Sequence, residues 1–269
     1  MRDYITPQLG RHKLAAVTRQ DIEKLHRKIT ADGKLRRANS VKSLLSTLFA
    51  QAVDWQMRAD NPATGIKGNP EHGRERYLTE PELARLLATL DSRPDSDAVA
   101  IIQLAVLTGA RRGEILGMCW SQLDLDAGVW TKPAATTKQR RIHRVPLSPE
   151  AAAVLRQRQQ GQRDIPNKIV RLRDDHVFRA GNSKTGANAL ERDWRVIRAA
   201  AGLEDVRFHD LRHSFASFLV GAGLSLPIIG KMLGHAKSAT TERYAHLADK
   251  PLRDAAEIVG RIVGGKPAK

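Results

Sequence analysis

Between residues 206 and 247 the chain reads VRFHDLRHSFASFLVGAGLSLPIIGKMLGHAKSATTERYAHL, and this stretch leaves the backbone few choices. The apolar run 211–219 predicts a buried helix, closed by Gly221-Ala222-Gly223. Ser225 then caps a second helix at 226–233, which ends at Gly234, a residue able to take the left-handed cap conformation. His209 and Arg212 are three apart, so on a helix they share a face. His235 follows Gly234 at once in a tight turn, and Tyr244 comes nine positions later, on a segment whose Thr240 and Thr241 suit a helix start. Two short helices and a turn thus gather an arginine, two imidazoles and a phenol within reach of one anion.

Helical spacing governs the rest of the chain too. Thr18 caps a helix at 19–29, with Asp21 placed to act on the helix dipole. After Gly33, residues Val41, Leu44, Leu45, Leu48, Phe49, Ala52 and Val53 fall on one stripe. Asn61-Pro62 ends that helix, and the Gly-, Pro- and charge-rich segment 65–76 reads as a linker between domains. Thr79-Glu80-Pro81-Glu82 is a capping box opening a helix with Leu83, Leu86, Leu87 and Leu90 on one face. Residues 97–107 read as a buried helix, broken at Thr108-Gly109 and restarted over 111–118. Strand-like runs occur at 129–132 and 140–147, around a polar turn at 136–139, and predict a hairpin. Helices follow at 149–159 and 189–200, with 182–186 a loop. Ala255, Ile258, Val259 and Ile262 form a last narrow apolar stripe. The expected fold is mainly α, with a small helical domain at 1–68 and an α-rich domain with a small β-hairpin at 75–269.

Composition narrows the partners. With 45 Lys and Arg against 29 Asp and Glu, the formal charge is +16. Such a balance favours a polyanion, because released counterions drive binding to phosphates. On charge alone a basic protein with no nucleic-acid role stays open. Aromatic residues make up 4%, which argues against a protein that stacks on single-stranded bases. Cys119 is the single cysteine, sits among apolar neighbours and reads as a small core residue, so no disulfide framework forms within one chain. The run 98–107 is too short to span a bilayer, the N-terminus lacks a signal peptide's apolar stretch, and a reducing cytoplasm fits best.

Four motifs in order carry a family resemblance. HDLRH at 209–213, LGH at 233–235 and the tyrosine nine residues beyond resemble the C-terminal motifs of the tyrosine recombinases, the phage-integrase family. TGARRGEILGMCW at 108–120 resembles the segment bearing that family's first catalytic arginine, and TTKQRRIHRVPLS at 136–148 resembles its lysine-bearing β-hairpin. Together they cover roughly residues 75–250. HxxR by itself is common by chance; four motifs correctly spaced are specific.

The resemblance implies a chemistry. Attack on a DNA phosphodiester piles negative charge on the non-bridging oxygens, and fixed arginines, always charged and forked, suit them. Arg111 and Arg212 are the implied pair. Glu114, one turn on, either orients Arg111 or makes an ordinary intrahelical ion pair. Lys138, eight residues before Pro146, is the implied general acid for the leaving 5′ oxygen. Its neighbours Arg140, Arg141 and Arg144 compete for that role or bind phosphates. His209 takes the nucleophile's proton or bonds the phosphate, and His235 donates to a non-bridging oxygen. His213 packs or makes a supporting bond. Tyr244 is the implied nucleophile, with a 3′-phosphotyrosine conserving the energy of the broken bond, so no cofactor is implied. No cysteine or carboxylate cluster accompanies the histidines at metal-ligand spacing. Tyr4 and Tyr77 read as structural.

Lys34, Arg36, Arg37 and Lys42, around a helix start, become candidates for DNA contact in a core-binding domain that clamps a duplex with the catalytic domain. The implied partners are a duplex recombination site, further copies of the chain in a tetramer, and accessory DNA-bending or directionality proteins. The N-terminal domain looks one or two helices short for the family. Rival readings are a type IB topoisomerase, which shares the chemistry, and a DNA-binding regulator descended from an integrase. The terminal stripe either folds back on its own domain or docks on a neighbouring copy.

Overall fold

A computed structural model describes residues 3–71, 73–136, 141–163, 175–178, 184–235, 239–248 and 257. The chain divides into two compact units, Met1–Glu75 and Arg76–Lys269.

The first unit holds α1 (Ile5–Leu9), α2 (Arg19–Ala31) and α3 (Leu35–Asp54), with a 3₁₀ turn at Leu14–Ala16. The capping box at the start of α2 forms: Asp21 N donates to Thr18 Oγ1 (3.3 Å), and Thr18 N donates to Asp21 Oδ2 (2.9 Å). Ile22, Leu25 and Ile29 of α2 interlock with Ala38, Val41, Leu45 and Phe49 of α3. The buried stripe on α3 is narrower than its spacing predicts. Leu44 and Leu48 are 36% and 43% exposed. In this unit α3 packs mainly on α2, and one helical neighbour covers a narrow seam rather than a broad face. Helix α1 lies in a stretch whose mixed composition gave no periodic signal.

The second unit is built around α5 (Asp97–Thr108), which follows α4 (Glu80–Asp91). Helix α5 is apolar on nearly every side, so it has no solvent face to present and becomes the centre of the core. The box at Thr79–Glu82 caps α4 as expected. Leu86 and Leu90 face inward, but Leu87 is 38% exposed, on the outer side of a helix buried along one edge. After the short α6 (Arg112–Leu116) comes an antiparallel sheet of β1 (Leu123–Asp124), β2 (Val129–Lys132) and β3 (His143–Pro146), with β2 central. The register pairs Trp130 with Val145 and Lys132 with His143. The expected hairpin is therefore shorter on its second strand and gains a third strand too brief for alternation to reveal. The expected turn at 136–139 begins instead with a 3₁₀ turn, Ala134–Thr136, and its remainder lies outside the described residues.

Helices α7 (Pro149–Arg163) and α8 (Lys184–Ala200) pack on α5. The loop expected over 182–186 is corrected from Lys184 on, where α8 starts and takes Gly186 into its first turn; 182–183 lie outside the described residues. Leu190, Trp194 and Ile197, spaced four and three apart, are buried, and Ala187 packs behind them, so the amphipathic face overrides the glycine. Helices α9 (Asp210–Gly221), α10 (Leu226–Leu233) and α11 (Ala239–Glu242) follow, with a 3₁₀ turn at Ala245–Ala248. Ser225 stands at the N-cap of α10 without a side-chain capping bond. Cys119 is half-buried rather than a core residue, because its backbone bridges to His176 at the edge of the packed interior. The terminal stripe at Ala255, Ile258, Val259 and Ile262 lies outside the described residues. No helix among the described residues is long and apolar enough to cross a membrane.

Candidate active site

Two left-handed glycines frame the site. Helix α5 ends at Gly109 (φ 60°) and α10 at Gly234 (φ 66°). A Cβ on Gly109 would stand 2.5 Å from the Phe215 ring, and one on Gly234 2.8 Å from the His143 ring. Both turns thus need glycine for conformation and for space. Between them lies Arg212, 4% exposed, on the first turn of α9. Its Nη1 donates to Gly109 O (2.8 Å) and its Nη2 to Leu233 O (2.8 Å). The two helix ends hold the guanidinium by backbone carbonyls, with no carboxylate among these partners to neutralise it. Burial, then the charge of Arg111, lowers its pKa to about 10, so it stays a cation at neutral pH.

Arg111 is the N-cap of α6. Its backbone N–H donates to Glu114 Oε2 (3.2 Å) and its Nη1 to Glu114 Oε1 (2.7 Å). Glu114 has a second cation: Lys132 Nζ, from β2, donates to Oε2 at 2.6 Å. Burial alone would raise the Glu114 carboxyl, but Lys132 and then Arg111 outweigh it and bring it to about 2.

Tyr244 is 5% exposed and packs with Ala216, Val220, Ile229 and Leu233. Its Oη lies 2.6 Å from His213 Nδ1. Burial pushes the phenol pKa up, so the hydroxyl keeps its proton at neutral pH. His213, lowered to about 4 by burial and then by His209, is neutral and free to accept that hydrogen. The His209 ring meets the His213 ring edge-on at 5.1 Å. His235 Nδ1 lies 2.8 Å from Thr241 Oγ1, and burial followed by the charges of Arg212 and Arg111 holds its pKa at about 4. His209 is shifted down as well, by burial and then Arg212.

The structure therefore gathers Arg111, Glu114, His209, Arg212, His213, His235 and Tyr244. Lys138 and Arg140 lie outside the described residues. Arg141 and Arg144 are exposed beside and on β3. In the N-terminal unit Lys34 and Arg37 lie 5.6 and 5.9 Å from the Tyr4 ring centroid, and Arg36 pairs with Glu71 at 3.6 Å. Lys42 departs from the expected surface role: it is half-buried, and its Nζ donates to Ile66 O (3.1 Å). Sequence reasoning missed Lys132 and the hold of Thr241 on His235. Strand alternation carries a signal for Lys132, because it shares the inward face of β2 with Trp130.

Comparison with known proteins identifies the family. Residues 76–250 match the phage integrase family, and residues 1–69 match the phage integrase central domain. The integrase of Salmonella phage P22 is 29% identical over 236 residues, covering 85% of this chain and 58% of that one. Tyrosine recombinase XerD of Neisseria meningitidis is 28% identical over 261 residues, covering 86% of each. Among solved structures, a lambda integrase dimer bound to a COC′ core site superposes with a TM-score of 0.69 at 20% identity, covering 93% of this chain and 86% of that one. The Tn1549 transposon integrase in complex with a circular intermediate DNA gives 0.72 at 16%, covering 96% and 90%. A helical fold with a small sheet, joining buried tyrosine to arginines and histidines, is that of a tyrosine-type recombinase. The chain belongs to the phage integrase family.

Proposed function

We propose that this chain cuts and rejoins duplex DNA at a specific site, with Tyr244 as nucleophile. The observation that carries the reading is the placement of Tyr244 on His213, the neighbour of Arg212, so that one helix turn holds both the phenol and a buried guanidinium. Arg111 and Arg212 take the non-bridging oxygens of the scissile phosphate and gain most as charge builds in the transition state. His235 donates a hydrogen bond to the same phosphate. His209, more open to solvent than Tyr244's partner His213, also serves the phosphate. Attack by Tyr244 Oη forms the 3′-phosphotyrosine while the P–O5′ bond breaks; the phenol's proton passes to Nδ1 of His213, which lies against it, and Lys138 gives a proton to the departing 5′ oxygen. Religation by a 5′-hydroxyl reverses each step.

The first unit serves as a core-type DNA-binding module, its Lys34, Arg36 and Arg37 lying against backbone phosphates. Exchange of strands needs several copies on one DNA. A lambda integrase tetramer bound to a Holliday junction, similar in fold to this chain at 20% identity, supports that reading.

Covalent capture tests the proposal. The protein is incubated with a pool of nicked duplexes of random sequence mixed with the junctions of the DNA element that carries its gene, and adducts are recovered after denaturation. One recurrent sequence is expected. Capture without sequence bias, accompanied by relaxation of any supercoiled plasmid, contradicts site specificity and favours a topoisomerase.

A further inference from the structure

Lys132 stands out because a fold rarely encloses an ammonium group. Its side chain is 4% exposed, its Nζ lies 2.6 Å from Glu114 Oε2, and it sits 4.2 Å from the Trp130 ring centroid. Burying such a pair contributes little net stability, since desolvation offsets the attraction and apolar replacements are often as stable. The pair needs another reason, and its geometry supplies one. Glu114 has two oxygens and two cationic partners. Lys132 and the Arg111 backbone N–H share Oε2, while Arg111 Nη1 takes Oε1.

We propose that Lys132 is a positioning residue for Arg111: it holds one oxygen of Glu114 so that the other presents the guanidinium to the phosphate. The inference rests on the reading of Arg111 as a phosphate-binding arginine. With Lys132 absent, a carboxylate in this partly buried place has Arg111 as its nearest cation. It then either draws the guanidinium into a two-pronged pair, away from the phosphate, or takes up a proton and releases it. Lys132 prevents both outcomes. Two cations around one carboxylate also leave the group with a net positive charge facing an anion. Burial lowers the Lys132 pKa, and Glu114 opposes that shift. Among the described residues, the titratable groups coupled to Glu114 are Lys132 of β2, Arg111 at the cap of its own helix, Arg212 of α9 and His143 of β3, the last shifted down by burial.

The test uses the full chain and the duplex recovered by covalent capture, with single-turnover cleavage, duplex binding and thermal melting measured in parallel. Lys132→Met should bind the duplex as the wild type does and cleave slower by on the order of 100-fold, the cost of a small misplacement of a reacting group. The acid limb of its rate–pH profile should move upward, because Glu114 loses the partner that does most to hold its carboxyl low. Lys132→Arg should recover part of the rate. In Glu114→Gln, which has no carboxylate to hold, adding Lys132→Met should cause no further loss. That double variant also covers the case in which Lys132→Met alone fails to fold. A Lys132→Met enzyme that cleaves at the wild-type rate, one that slows with an unmoved pH profile, or additive losses in the double variant would each overturn the inference. Arg111→Ala keeps the underlying reading separate: if it weakens binding and cleavage equally, that reading of Arg111 fails instead.

Discussion

The hydroxyl of Tyr244 lies 2.6 Å from Nδ1 of His213, and His213 is the residue next to Arg212. Adjacent positions on α9 therefore hold the phenol and a guanidinium. Because Tyr244 is buried and its pKa is raised while His213 is neutral, the phenol is stored protonated with its hydrogen bond satisfied. His213→Phe keeps a ring of similar shape but removes the acceptor. Cleavage of the captured duplex should fall by on the order of 100-fold through misplacement of the phenol, with duplex binding retained. A variant that cleaves at the wild-type rate would show that the contact does not serve the reaction.

The histidines also make stability depend on pH. His213 and His235 are each held at about 4, below their ordinary 6.5, so in this range the unfolded chain binds more protons than the folded one. Their contribution is complete above 6.5 and is lost as pH falls toward 4. The melting temperature should drop across that window. Replacing both with glutamine should flatten the drop. A wild-type melting temperature that is constant between these pH values would contradict the burial argument.

Arg212 should matter to folding as well as to chemistry. Arg212→Ala strips hydrogen bonds from the carbonyls of Gly109 and Leu233. Each buried carbonyl left unpaired costs about 1–3 kcal/mol, so chemical denaturation should show a loss of about 3 kcal/mol. Arg212→Lys keeps the charge but lacks the fork needed to reach both carbonyls, so cleavage should stay low. Full activity in the lysine variant would mean that charge alone suffices.

Much of this site was legible because its pieces are local. The spacing of His209 and Arg212, the glycine after α10 and the offset to Tyr244 are all short-range patterns, and α9 and α10 form close to where the periodicity placed them. What was not legible depends on contacts distant in sequence. Leu44 and Leu48 have the right spacing for a buried face, yet they stay 36% and 43% exposed among the described residues. Gly186 reads as a loop until Leu190, Trp194 and Ile197 are seen packed in the core. Lys132 looks like an ordinary strand-end charge, and its meaning appears when β2 brings it to Glu114, 18 residues earlier. The bond from His213 to Tyr244 spans 31 residues and puts His213 against the phenol, where the sequence pattern offered His209 for the nucleophile's proton and left His213 a packing or supporting role.

The most direct measurement of the central claim is covalent capture by Tyr244→Phe. This change removes one oxygen from a buried side chain and leaves the arginines, histidines and surrounding packing in place. The wild-type protein should form a denaturation-resistant adduct at the 3′ end of the cut strand of a nicked duplex. The phenylalanine variant should bind the same duplex with equal affinity and yield no adduct. An adduct that persists in Tyr244→Phe, or one mapped by mass spectrometry to Tyr4 or Tyr77, would contradict the account.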